Sequence, residues 1–205
     1  MSNKLLLAGF SFGRHCLGLI TRPYETFRRI VEKGDTLELA YVAACVCVYL
    51  AIASLVKQSL FHPFLLTQQF LVLGVGAAAT YVVAVGLFWF VGRCVGAKGN
   101  WRGFAVAWGY TLMPTLLWFL GTSLLYVFIP PPRTTSILGF TFSIIFLLFS
   151  ATLLFWKVTL SYLSLRFGLR LDLGKLVLIC SIVLPMLAIY SFGMYKVGIF
   201  RVPFI

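Results

Sequence analysis

Five apolar runs, separated by short polar segments, organise the chain: Leu37–Val56, Phe70–Gly92, Phe104–Ile129, Leu138–Trp156 and Leu173–Tyr195. A helix needs about 20 such residues to cross the hydrocarbon of a bilayer. Each run is long enough, so the pattern predicts an all-α, polytopic transmembrane bundle of five spans. Pro114 and Pro185 fall inside the third and fifth runs, where neighbouring helices can re-satisfy the freed carbonyl. Pro130-Pro131-Pro132 removes three consecutive backbone donors and predicts a loop.

Residues 1–36 follow a different pattern. At 100° per residue, Lys4, Ser11, Arg14, His15, Gly18 and Arg22 share one stripe, and Leu5, Leu6, Phe10, Phe12, Leu17, Leu19 and Ile20 take the rest. Two placements fit: an amphipathic helix in the interface with its basic edge toward headgroups, or a helix packed on the bundle. Arg14 and His15 break the apolar stretch, and no small-residue cleavage site follows, unlike a signal peptide. A second helix is expected over Pro23–Lys33, with proline in its first turn and Gly34 as a left-handed end. Asp35-Thr36-Leu37-Glu38 reads as a capping box, with Glu38 reaching back to open the first span. The expected organisation is an N-terminal amphipathic segment at 1–36, a membrane domain at 37–196 and a tail at 197–205.

Composition agrees. The 205 residues are 61% hydrophobic and 11% charged, with a mean hydropathy of +1.00. A soluble domain carries about 25% charged residues and has too little interior for so much apolar surface.

The net charge of +12 first suggests nucleic acid, but the bases sit in short segments between apolar runs, so no nucleic-acid partner is expected. Residues 1–36 hold six Lys and Arg, the segment after the second run three, and the segment around the fourth connection four. The opposite side holds four: Lys57, Arg133, Lys196 and Arg201. The bias predicts a cytoplasmic N-terminus and an external C-terminus. Trp89, Trp108 and Trp156 fall near the predicted inner boundaries, where indole favours the headgroup layer.

Candidate chemistry is sparse. The histidines are His15 and His62, and neither has a neighbouring carboxylate in sequence. Glu25, Glu32, Asp35, Glu38 and Asp172 form no metal-ligand pattern with histidine or cysteine. Cys16, Cys45, Cys47, Cys94 and Cys180 contain no C-x-x-C and read as small apolar fillers. Neither an enzyme nor a cofactor is expected. A coupled transporter usually holds an ionisable residue within the hydrocarbon; the interiors of the five apolar runs contain no Asp, Glu or Arg, and Lys157 can snorkel at an inner end. A solute path could be lined by Tyr81, Ser123, Ser150, Ser181 and Tyr190, which read equally as packing groups. Gly76, Thr80 and Ala84, then Gly74 with Ala78, and Ala105 with Gly109, recur every four residues, a spacing that lets helices approach closely.

Two motifs carry a resemblance. Gly109-Tyr110-x-x-x-Pro114 resembles the G-Y-x-x-x-P signature of the Yip domain family, five-span membrane proteins first known as interactors of Ypt/Rab GTPases. Pro23-Tyr24-Glu25-Thr26-Phe27-Arg28-Arg29-Ile30 is similar to the P-x-x-T-F-x-x-I opening of bacterial members. The D-L-Y-G-P element of eukaryotic members has no counterpart, so the resemblance points to a prokaryotic branch. It covers about residues 20–195 and implies a membrane location.

The expectation is a non-enzymatic scaffold or accessory subunit in a bacterial inner membrane, with a transporter or channel component for a small or lipid-like solute as the alternative. Gly109, Tyr110 and Pro114 are expected to supply a close contact, an amphipathic ring near the inner boundary and a kink, and are candidates for meeting a partner. Arg22, Arg28, Arg29, Arg93, Lys98, Arg102, Arg166 and Arg170 are expected to form a basic cytoplasmic face. Its expected partners are anionic headgroups and a membrane protein or a second copy of the chain.

Overall fold

A computed structural model describes residues 2–57, 63–128 and 137–198 as eight helices. They are α1 (Ser2–Thr21), α2 (Pro23–Lys33), α3 (Glu38–Lys57), α4 (Pro63–Cys94), α5 (Trp101–Tyr110), α6 (Met113–Phe128), α7 (Ile137–Leu169) and α8 (Leu173–Lys196). His62, the loop expected at Pro130–Pro132 and most of the C-terminal tail lie outside the described residues. Four helical stretches are long and apolar enough to cross a membrane: Phe70–Cys94, Trp101–Leu124, Gly139–Leu169 and Leu173–Lys196. A fifth follows if α2 and the start of α3, bent by 119°, count as one broken span. The protein is therefore a polytopic helical membrane protein.

The third span is the hub. In its apolar stretch 56% of residues are buried, against 28% in α8, 17% in α4 and none in α7. Those outer helices spend their apolar surface on lipid, while α5 spends its own on other helices. One side of α5 joins Phe88, Leu165, Leu169, Ile179 and Val183 through Phe104 and Ala105. Its other side joins Leu19, Phe27, Ile30, Leu160 and Leu163 through Val106, Ala107 and Tyr110.

Helix α2 has the bounds its sequence predicts, with proline in the first turn. It buries Phe27, Ile30 and Val31 against α5 and α7. Gly34 ends it differently from expectation, in an extended conformation (φ −61°, ψ 130°). Glycine is required there by space, since a Cβ would collide with the carbonyl of Ile30.

A second difference concerns the fourth connection, which the apolar runs leave open from Lys157 to Asp172: α7 continues to Leu169 and only Arg170–Asp172 link it to α8. The 33 residues of α7 extend about 50 Å at 1.5 Å per residue, well beyond a hydrocarbon core of about 30 Å. The continuation is amphipathic, burying Leu160, Leu163, Leu165 and Leu169 while Val158, Thr159 and Arg166 stay exposed. Lys157 thus lies in mid-helix, where the apolar stretch of α7 gives way to this amphipathic continuation.

Helix α1 packs on the bundle through its polar edge. Ser11, His15 and Gly18 turn toward α2 and α3, whereas Leu5, Leu6, Phe10, Leu17 and Ile20 face outward. Lys4, Arg14 and Arg22 of the same stripe remain exposed.

Candidate functional site

The Gly109-Tyr110-x-x-x-Pro114 element converges on the first turn of α3. Gly109 lies so close to α3 that an added Cβ would sit 2.8 Å from a methyl of Leu39. Pro114 is buried in the first turn of α6. Before it the helix tightens, with Thr111 N–H donating to the Trp108 carbonyl at 3.0 Å and Leu112 N–H to that of Gly109 at 3.1 Å. This i→i−3 bonding accommodates a residue that cannot donate. Tyr110 closes α5 and is wholly buried, its ring covered by neighbouring helices.

Its hydroxyl donates to Oε2 of Glu38 at 2.5 Å. Nδ1 of His15 lies 2.9 Å from the same oxygen, and the Ser11 hydroxyl donates to Oε1 at 2.8 Å. Glu38 is 1% exposed and His15 6%. An ionised carboxylate only accepts, so Nδ1 carries the proton in this contact. Phe12 stacks on both Tyr110 and Tyr41, with centroids 5.7 Å apart in each case. A carboxylate taken out of water costs several kcal/mol unless hydrogen bonds replace its hydration. Three donors from two other helices do so here.

Glu38 therefore does not act as a capping-box residue. Leu37 N–H donates instead to Oδ1 of Asp35 at 3.1 Å, and the Glu38 side chain turns inward. Ser11, His15 and Glu38 are the residue types of an acyl-transfer triad in a different order. Serine and histidine both donate to the carboxylate, so the imidazole is not placed to take the serine proton. The arrangement fixes α1 to α3 and α5 around one charge.

The eight bases of the expected inner face are all exposed. Three close contacts bring their segments together. Gly99 lies against the Gly168 carbonyl, Gly103 against the Val31 carbonyl, and Gly168 against the Phe104 ring, each with no room for a Cβ. Arg22 pairs with Glu25 at 3.8 Å and Arg28 with Glu32 at 3.2 Å. Arg93 lies over the Trp89 ring, 5.3 Å from its centroid, and donates to the Ala97 carbonyl at 3.2 Å. Arg166 donates to the Tyr162 hydroxyl at 2.8 Å. A groove of about 320 Å³ between α2 and the α7–α8 turn is lined by Arg28, Glu32, Arg166, Arg170 and Asp172 among others. Arg170 holds φ 54°, as the left-handed residue that ends α7.

The hydroxyls considered for a solute path are dispersed over four helices. Tyr81 donates to the Ala105 carbonyl at 2.6 Å, and Ser150 accepts from the Trp118 indole at 2.9 Å. Ser181 donates to the Val177 carbonyl at 3.0 Å, Tyr190 lies 3.3 Å from the Thr80 hydroxyl, and Ser123 is buried. Among the described residues no group of three or more His, Cys, Asp and Glu could hold a metal ion.

Neither the curated proteins nor the solved structures contain a match to this chain. The sequence does match the Yip1 domain over residues 17–195, a stretch that begins just after Ser11 and His15 and takes in Glu38, the Gly109–Pro114 element and the eight bases of the exposed end. The chain belongs to the Yip1 domain family of membrane proteins.

Proposed function

We propose that this protein is a non-enzymatic scaffold or accessory subunit of a membrane complex in a bacterial inner membrane, presenting its basic end to the cytoplasm. The carrying observation is the clamping of three basic segments onto one another by the contacts of Gly99, Gly103 and Gly168. Long surface bases usually contribute little because ordering them costs entropy. A rigid backbone lowers that cost and makes the end suitable for docking. The test is recovery of partners in mild detergent from wild type and from the Arg93→Gln, Lys98→Gln, Arg102→Gln triple variant. The scaffold reading expects normal insertion with salt-sensitive loss of partners. Equal recovery at low salt removes it for this loop.

A transporter or channel component is the second reading, and one observation favours it. Glu38 is an ionisable residue buried at the start of a membrane helix beside His15, and such residues often mark solute or proton pathways. Solute flux lost in Glu38→Gln, with partner recovery unchanged, selects this reading over the first.

A further inference from the structure

The bases of the exposed end are unequally compensated. Arg22 and Arg28 pair with Glu25 and Glu32 of α2, which Arg29 and Lys33 share a helix with, and Asp172 stands in the groove beside Arg170. The chain has no acidic residue between Glu38 and Asp172. Arg93, Lys98 and Arg102 therefore have no acid in their own segment, and no ion pair among the described residues involves them. A fourth base joins them from α8: Nζ of Lys175 lies 4.0 Å from where a Cβ on Gly96 would be, and Gly96 holds φ 94°. Asp172, three residues before Lys175, is the nearest acid in sequence.

We propose that this corner, made by the end of α4, the 95–100 loop, the start of α5 and the first turn of α8, binds the phosphate of an anionic phospholipid headgroup. The proposal deepens the scaffold reading, resting on the same basic end as the working face, and assigns one part of that face to lipid. Three features favour a lipid over an acidic protein. Arg93 is fixed by the Trp89 ring and the Ala97 carbonyl, leaving the rest of its donor fork for a phosphate. Trp89 meets Trp101 edge-on with centroids 5.5 Å apart, and Trp101 is 43% exposed, as suits an indole at the headgroup level. Helices α4 and α8, which bring Arg93 and Lys175, also present Phe90 and Val177 outward, so apolar surface for acyl chains adjoins the charge. The loop backbone is held by the seating of Gly99 on Gly168, so binding need not order it.

The experiment reconstitutes the full chain in nanodiscs of phosphatidylcholine with a minor fraction of phosphatidylglycerol and reads retained lipid by native mass spectrometry. Wild type should retain phosphatidylglycerol over phosphatidylcholine by about tenfold or more, a ratio within reach of three or four juxtamembrane bases. The Arg93→Gln, Lys98→Gln, Arg102→Gln variant should lose the preference. Arg22→Gln, Arg28→Gln, Arg29→Gln, which removes the same number of charges, should keep it within about twofold. Arg93→Lys, Lys98→Arg, Arg102→Lys should restore much of the preference and shows that loss in the Gln variant is not misfolding. Equal loss in the α2 variant would mean general charge attraction and overturns the site. Displacement by soluble glycerol phosphate at the same phosphate activity overturns the membrane source, and selective binding of an acidic protein with no lipid preference overturns the ligand. Partner recovery is scored separately, so lipid selectivity without a partner defeats only the scaffold reading, and a partner without lipid selectivity defeats only this one.

Discussion

Tyr110 and Glu38 stand 72 residues apart in the chain and share one proton-mediated contact in the core, the tyrosine hydroxyl donating to a carboxylate oxygen at 2.5 Å. Around that contact the third span, the start of the first and the N-terminal helix are fixed relative to one another. The tyrosine of the G-Y-x-x-x-P element is thereby a connector between helices. The glycine before it sets the distance at which the connection is made.

Removing the connector should be expensive for its size. Tyr110→Phe keeps the ring and withdraws one donor from a buried carboxylate, a change of about 1–3 kcal/mol. Thermal unfolding in detergent should show it, and a double-mutant cycle with Glu38→Gln should give coupling of about 1 kcal/mol or more. Additive effects would mean the contact contributes no energy of its own.

Substitutions at Gly109 should be graded by size. Gly109→Ala meets only the flexible end of Leu39 at 2.8 Å and should cost about 1 kcal/mol or less. Gly109→Leu must push α3 away and should cost about 2–3 kcal/mol, the range of an overpacked core. Pro114→Ala restores a donor and should extend α5 toward α6 with a smaller loss than Gly109→Leu. If Gly109→Leu melts like the parent, the close approach is not needed for stability.

The pH response of α1 follows from Cys16. Burial, with the Cys45 thiol and the Glu38 carboxylate beside it, pushes this thiol up to about 11 from its ordinary value of 9.0. The folded chain therefore holds the Cys16 proton more tightly than the unfolded chain. The resulting stability is fully present below pH 9 and is lost as pH rises toward about 11. Alkylation of Cys16 in the folded protein at pH 8 should be at least tenfold slower than that of a free thiol. Cys16→Ala should abolish this part of the alkaline destabilisation. Alkylation of Cys16 at the free-thiol rate would show that α1 does not hold it buried.

Orientation gives a further test. The Lys and Arg bias predicts a cytoplasmic N-terminus and, if the bent α2–α3 pair counts as a fifth span, an external C-terminus. Reporter fusions before Met1 and after Ile205 should report opposite sides. A cytoplasmic signal from both would require an even number of spans and would exclude α3 as a full crossing.

Hydropathy made the long helices legible because lipid imposes the same requirement on each of them, whatever they pack against. The bounds of α2 were equally plain, since Pro23 and the alternation of Phe27, Ile30 and Val31 with charged residues are local signals. The extension of α7 was not, because Lys157 and Arg166 resemble loop residues until the intervening Leu160, Leu163 and Leu165 find α2 and α5. The polar stripe of α1 was visible at the spacing of Ser11 and His15. What it faces depends on Glu38 and Tyr110, which no local pattern ties to it. Glu38 had an adequate local reading as a cap, and the one available hint was an acid at the mouth of an apolar run.

The order of synthesis gives the Glu38 contacts a further consequence. His15 and Ser11 leave the ribosome before Glu38, but Tyr110 follows 72 residues later, roughly 4–14 s at about 5–20 residues per second. During that interval the carboxylate at the head of α3 has two of its three donors. Its last bond can form only when the third span has been delivered alongside the first. The site thus registers the arrival of the third span, before α7 and α8 are made: a nascent chain that lacks that span keeps an undersatisfied buried charge at the head of α3, and α1 is held by two donors instead of three.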